Sequence, residues 1–277
     1  MDFPSEEPRE PRVVFEDEWL VAVDKPARMH SVPGLGAGDL CAWVFERYPE
    51  VRNLRPEVRN LGSEAEPARR AGGGEGGLLH RLDYDTSGLV LFARKASAFA
   101  SLLDQQEQGA FYKEYLALCA PSNASQPQGS APSAGIPRGI GAEDWKDARE
   151  TLDLKKLSGL IGEAIAGGGC GICAAFRSFG PRGARVACLD PAGAPKPYLS
   201  DLLGCSSSAE GVELRVGISR GFRHQIRAQL AWIGLPIKGD PLYGGATDSR
   251  LRLYARRLSF VHPASGRPFS LDSPDPR

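Results

Sequence analysis

Three short stretches of this 277-residue chain group side chains in ways that chemistry can use. The first is His80-Arg81-Leu82-Asp83-Tyr84-Asp85-Thr86-Ser87-Gly88-Leu89. Carboxylates, hydroxyls, an imidazole and a guanidinium crowd together there, between the glycine-rich run Gly72 to Gly77 and the apolar run Leu89 to Ala93. Gly88 admits backbone angles that a residue with a Cβ resists, so the turn can hold a carboxylate at a fixed angle to a core strand. The plain alternative is that Asp83, Asp85, Thr86 and Ser87 only hydrogen-bond their own turn. The second stretch, Arg220 to Arg227, places Arg223, His224 and Arg227 three and four residues apart, on one face near a helix start. In the third, Phe111 to Cys119, alternation puts Lys113, Tyr115 and Ala117 on one face of a strand. Tyr115 there reads equally well as an ordinary sheet aromatic.

The elements that must position these groups follow from periodicity and stop signals. Val13-Val14-Phe15 and Trp19 to Val23 read as strands joined by the acidic turn Glu16-Asp17-Glu18, and Pro26 ends the second. Asp39 caps a helix running through Tyr48. Residues 52 to 78 read as a mobile loop; its glycines are followed by no Lys-Ser or Lys-Thr pair, so a nucleotide cradle is not expected. Ala96, Phe99, Leu102 and Leu103 recur at helical spacing, and Gly109 closes that helix. Residues 1 to 11 read as a disordered acidic tail and residues 121 to 146, rich in Ser, Pro and Gly, as a flexible insertion. Ala142 to Lys156 reads as partly helical. The alanine- and glycine-rich patch Leu157 to Gly169 gives no clear signal. Phe176 to Leu189 reads as strand, turn and strand, and Val212 to Ile218 as a strand leading into a helix that ends at Ile233.

Composition excludes several classes. No run approaches eighteen apolar residues, so no membrane span is expected. The acidic start lacks the apolar segment of a secretory signal, and six cysteines do not make a disulfide scaffold in a chain this long; the expected setting is the reducing cytoplasm. Cys170-Gly171-Ile172-Cys173 has metal-ligand spacing but no second pair, and reads as two ordinary thiols. The net charge of zero hides an asymmetry: residues 211 to 260 hold eight arginines and Lys238 against Glu213, Asp240 and Asp248. Such a distribution can build a basic face on a neutral protein. A merely solvated face is the alternative.

The stretch His-Arg-Leu-Asp followed by Thr-Ser-Gly-Leu resembles the catalytic motif of the RluA-type pseudouridine synthases. Further matches follow in family order. The strand pair ending in Lys25-Pro26 resembles the first motif, with Arg28 where glycine is usual, and Lys113-Glu114-Tyr115 resembles the Lys-x-Tyr strand. Gly221-Phe222-Arg223-His224-Gln225-Ile226-Arg227 resembles Gly-Arg-Thr-His-Gln-Ile-Arg, with Phe222 for arginine and Arg223 for threonine. The turn Pro236-Ile237-Lys238-Gly239-Asp240-Pro241-Leu242-Tyr243-Gly244 follows, and Tyr254 stands where histidine is usual. Phe260-Val261-His262-Pro263 matches the closing strand.

The resemblance implies an α+β catalytic domain over residues 12 to 277, built on a mixed, mainly antiparallel sheet flanked by helices, with no S4-type module ahead of it. It implies isomerisation of uridine to pseudouridine in ribosomal or transfer RNA by a monomer needing neither cofactor nor metal. Asp83 would act at C1′, by attack on carbon or by assisting loss of the base. Arg227 would offset the cost of burying that charge. Tyr115 would stack on the uracil and serve the C5 proton step, and Arg81 would help hold the flipped base. His80, Thr86, Arg220, Arg223 and His224 are further candidates for substrate contact. A relative that binds RNA without catalysis, suggested by the departures at Arg28, Phe222, Arg223 and Tyr254, is the alternative. A hydrolase built on Ser87 or Asp83 with His80 lacks a Gly-x-Ser-x-Gly elbow.

Overall fold

A computed structural model of the chain describes residues 10–33, 38–54, 75–120, 135–151, 153–192, 194 and 197–273. The described residues divide into two compact units, with boundaries at 113/114 and 254/255: residues up to 113 with those from 255 onward, and residues 114–254. Strands and helices segregate as in an α+β fold, and the strand pairings of each unit run largely antiparallel.

In the first unit, β1 (Arg12–Glu16) and β2 (Leu20–Lys25) form the expected antiparallel pair. β2 pairs in turn with β3 (Ser87–Ala93), in a register that sets Leu20 against Ala93 and Lys25 against Gly88. Both central strands are buried along their whole length, which is why they read as continuous apolar runs rather than alternating ones. α1 (Leu40–Arg47) is capped by Asp39, whose carboxylate accepts the Ala42 amide at 2.9 Å. α2 (Ala96–Glu107) lays Ala98, Phe99 and Leu102 on a core shared with Leu89, Leu91, Phe111, Leu258 and Phe260. The calls on residues 1–9 and 55–74 lie outside the described residues.

The second unit holds β4 (Tyr112–Cys119), shared at its start with the first, and the strand order β4-β8-β7-β5-β6. Here β5 is Cys170–Phe179, β6 Arg185–Leu189, β7 Tyr198–Ser208 and β8 Gly211–Ile218. Residues 121–134 lie outside the described residues, whereas α3 (Ala142–Glu150) is ordered helix with Trp145 and Ala148 buried. The unplaced patch is α4 (Leu154–Ala166). Its signal was present: Asp153 accepts the Lys156 amide at 3.0 Å, and Leu157, Ile161 and Ala164 are the buried stripe. Cys170 and Cys173 lie in β5, three residues apart, so the pleat turns their side chains to opposite faces and one metal cannot take both. α5 (Gln225–Trp232) closes this unit against β6 and β7. Its buried Gln229 accepts the Ser200 hydroxyl at 2.6 Å and donates to the carbonyls of Ile172 and Tyr198, each at 3.0 Å. Among the described residues no helix is long and apolar enough to cross a membrane.

Candidate active site

The turn carrying Asp83 is held by its backbone. The Thr86 amide donates to the Asp83 carbonyl at 3.1 Å, which closes the turn. Ser31 grips the residue before it: its hydroxyl donates to the Leu82 carbonyl at 2.8 Å and accepts the Leu82 amide at 3.1 Å. Lys25 grips the residue after it. This lysine is fully buried, and its ammonium donates to the carbonyls of Pro26 (2.9 Å), Met29 (2.8 Å) and Tyr84 (3.4 Å). A buried ammonium is costly unless such acceptors surround it, so these three carbonyls and Lys25 fix one another. Gly88 completes the arrangement at φ +113°, where a Cβ would stand 2.3 Å from the Ala255 carbonyl oxygen. No other residue fits that conformation and that approach together. Asp83 is left half-buried at the head of a rigid strand.

Around it, Arg81 is 55% exposed with Glu75 at 3.5 Å. Tyr84 is exposed and lies against the His30 ring at 4.6 Å. Thr86 is buried with its hydroxyl unpartnered among the described residues. His80 accepts the Leu91 amide through Nε2 at 3.3 Å, so the ring's proton sits on Nδ1, which is buried and has no partner among the described residues. Burial, with the Lys113 ammonium nearby, pushes the His80 imidazole down to about 3, and burial pushes Lys113 down to about 8.

The His80 shift has a consequence for stability. The unfolded chain protonates His80 near pH 6.5 and the folded chain only near 3. Between those values the unfolded state binds more protons, so stability falls as pH drops through this window. Denaturant unfolding at neutral pH and at about pH 4.5 should therefore show an acid loss that His80→Asn reduces by about 2 kcal/mol. Equal acid losses in the two proteins would refute this.

In the second unit Tyr115 is buried on β4 and Arg227 is 3% exposed on α5. Arg227 makes a two-pronged pair with Asp240, Nε to Oδ2 at 2.7 Å and Nη2 to Oδ1 at 2.9 Å. Asp240 Oδ1 also accepts the amides of Leu242 (2.9 Å) and Tyr243 (3.3 Å), so the carboxylate ties α5 to the 240–244 turn. The Tyr243 hydroxyl accepts the Val186 amide at 3.0 Å and lies 3.1 Å from His224 Nδ1. The expected common face of Arg223, His224 and Arg227 is not formed, because the helix begins only at Gln225. His224 precedes it in a left-handed conformation (φ 56°) that costs a non-glycine residue free energy. Arg223 is exposed, and its guanidinium donates to the carbonyls of Gly183 and Arg185 on the β5–β6 hairpin. Arg28 is likewise left-handed (φ 60°), the conformation that the usual glycine would adopt without strain.

The basic segment is narrower than its count of arginines suggests. Arg227 is paired with Asp240, Arg252 and Lys238 with Asp248, and Arg257 with Asp272. Arg220 and Arg223 have no carboxylate partner among the described residues. Lys25, Ser31 and Asp240 were not among the residues that the sequence singled out for the site. Lys25 and Asp240 stand inside recognised motifs, whereas nothing local marks Ser31. No group of three or more His, Cys, Asp or Glu among the described residues is arranged to hold a metal.

The profile of the RNA pseudouridylate synthase family matches residues 19–232, which includes the Asp83 turn, Tyr115 and Arg227. The chain belongs to this family. An uncharacterised RNA pseudouridine synthase of Chloroflexus aurantiacus is 32% identical over 250 residues, 88% of this chain and 59% of the relative. Ribosomal large subunit pseudouridine synthase D of Xanthomonas campestris is 27% identical, over 95% of this chain and 66% of its own length. The chain thus spans 59 to 66% of the length of these relatives. In fold it resembles human RNA pseudouridylate synthase domain containing 1, with a TM-score of 0.56 at 18% identity, covering 96% of this chain and 84% of that one.

Proposed function

We propose that this chain is an RNA pseudouridine synthase, acting as a cytoplasmic monomer on particular uridines of structured RNA. The observation that carries the reading is Asp83, held at the head of β3 by backbone contacts from Lys25 and Ser31 on either side of it. A carboxylate placed in this way can meet C1′ of a flipped uridine, because the turn need not rearrange to present it. The reaction breaks the bond from C1′ to N1 and makes one from C1′ to C5. Nothing is oxidised, and a proton leaves C5 and one arrives at N1, so side chains suffice.

In this reading Asp83 acts at C1′, Arg227 supports its charge and Tyr115 lies against the uracil and serves the C5 proton. Arg81, His80 and Thr86 contact the target nucleotide, the last two through buried polar atoms that no described residue satisfies. Arg220, Arg223 and His224 contact flanking RNA. The name of the Xanthomonas relative favours ribosomal over transfer RNA as the substrate. Pseudouridine mapping of total RNA from cells with and without this protein tests the proposal: a small set of sites should depend on it. Identical maps, together with no pseudouridine formed when the purified protein meets unmodified ribosomal and transfer RNA, would refute it.

A further inference from the structure

Phe222, which stands where the family's motif has arginine, is part of an organised cluster. Its ring stacks on Phe176 with centroids 4.9 Å apart and planes 8° from parallel. Tyr198 leans on both, at 5.1 Å from Phe222 and 5.5 Å from Phe176. The guanidinium of Arg220 lies over the Tyr198 ring at 4.9 Å. All four side chains are only partly buried. The sheet explains their meeting: β5 pairs with β7 so that Ala174 faces Tyr198, and Phe176 follows Ala174 on the same face. Phe222 is held beside them by Gln225. The Gln225 side chain accepts the Phe222 amide at 3.0 Å and donates to the Leu199 carbonyl and the Ser200 hydroxyl, each at 3.1 Å. The first residue of α5 thus fixes the Phe222 backbone beside β7.

The cluster's charge has one sign. Arg220 and Arg223 flank Phe222, and Arg185 lies over the Phe179 ring of the same hairpin. None of these arginines has a carboxylate partner among the described residues. Fixed aromatic rings with arginines that lack acidic partners suit an unpaired nucleotide, whose base offers a flat face and whose phosphate offers charge. We infer that Phe176, Tyr198, Phe222 and Arg220 form a platform on which an unpaired base of the RNA stacks, with Arg223 meeting a neighbouring phosphate. The inference rests on the reading that the chain acts on RNA. It adds a second nucleotide contact, in which stacking replaces the charge that arginine at position 222 would bring.

The test uses a short single-stranded RNA carrying 2-aminopurine, whose fluorescence is quenched when it stacks. With the wild-type chain, quenching should accompany binding. Phe222→Leu should lose the quenching and bind about tenfold more weakly, with its melting temperature near wild type, whereas Phe222→Trp should keep both. Phe222→Arg should bind without quenching and with a steeper salt dependence, by about one phosphate contact. If Phe222→Leu fails to fold, Arg220→Gln supplies the same readouts from a partly exposed position. Undiminished quenching and affinity in Phe222→Leu would overturn the platform, as would a lowered melting temperature with unchanged RNA binding in that variant. A wild-type chain that forms pseudouridine without quenching the probe would overturn the platform and leave the enzymatic reading standing. One that neither binds nor modifies RNA would overturn both.

Discussion

Replacing Asp83 by asparagine is expected to leave a folded protein that binds RNA and forms no detectable pseudouridine. The physical basis lies in how the turn is held. Its described fastenings are to backbone atoms: the Asp83 carbonyl accepts the Thr86 amide, Ser31 grips Leu82, and Lys25 grips the Tyr84 carbonyl. An asparagine side chain has nearly the same shape and disturbs none of these bonds. It has neither the negative charge nor the nucleophilicity that the step at C1′ needs. The rate should fall by more than about 10³-fold, as when an essential reacting group is removed, while the melting temperature stays within a few degrees. RNA affinity should persist, because the variant leaves intact the RNA contacts proposed for Arg220 and Arg223. Single-turnover assays with equal amounts of wild type and variant decide the matter. Near-normal pseudouridine formation by Asp83→Asn would sink the mechanism, and an unfolded variant would refute the account of the turn.

The largest stability effect is expected at Asp240. Asp240→Ala removes both prongs of the pair with Arg227 and the acceptor of the Leu242 and Tyr243 amides. A guanidinium that is 3% exposed then loses this two-pronged partner. Breaking a buried pair from one side costs about 3–5 kcal/mol, which corresponds to a fall on the order of 10 °C in melting temperature for a chain of this size. Activity should fall as well, through loss of the 240–244 turn and misplacement of Arg227. Asp240→Asn should lie between, since it keeps the shape and one acceptor but not the charge. Thermal unfolding followed by circular dichroism is the measurement. A fall of less than about 2 °C for Asp240→Ala would mean that the pair contributes little.

Residue types and spacing alone determined a good deal about this protein. The Asp39 cap, the strand β2 with its stop at Pro26, the core strand β3 and the helix from Ala96 could be read because caps, prolines and periodicity act within a few residues. The Asp83 turn could be read for the same reason, since its glycine and its polar residues are neighbours in sequence. What the tertiary structure alone decided depends on register and long-range approach. Ser31 reaches Leu82 across 51 positions and Lys25 reaches Tyr84 across 59. Phe176, Tyr198 and Phe222 share a face only because β5 pairs with β7 and Gln225 docks the helix start on β7. Arg223 and Arg227 looked equivalent by spacing, yet one is exposed and the other buried, because α5 starts between them, after a left-handed His224. Helical spacing describes neighbours only where the helix exists. Where this helix begins was decided by Gln225, whose side chain bonds Phe222 on its own segment and Leu199 and Ser200 on another strand.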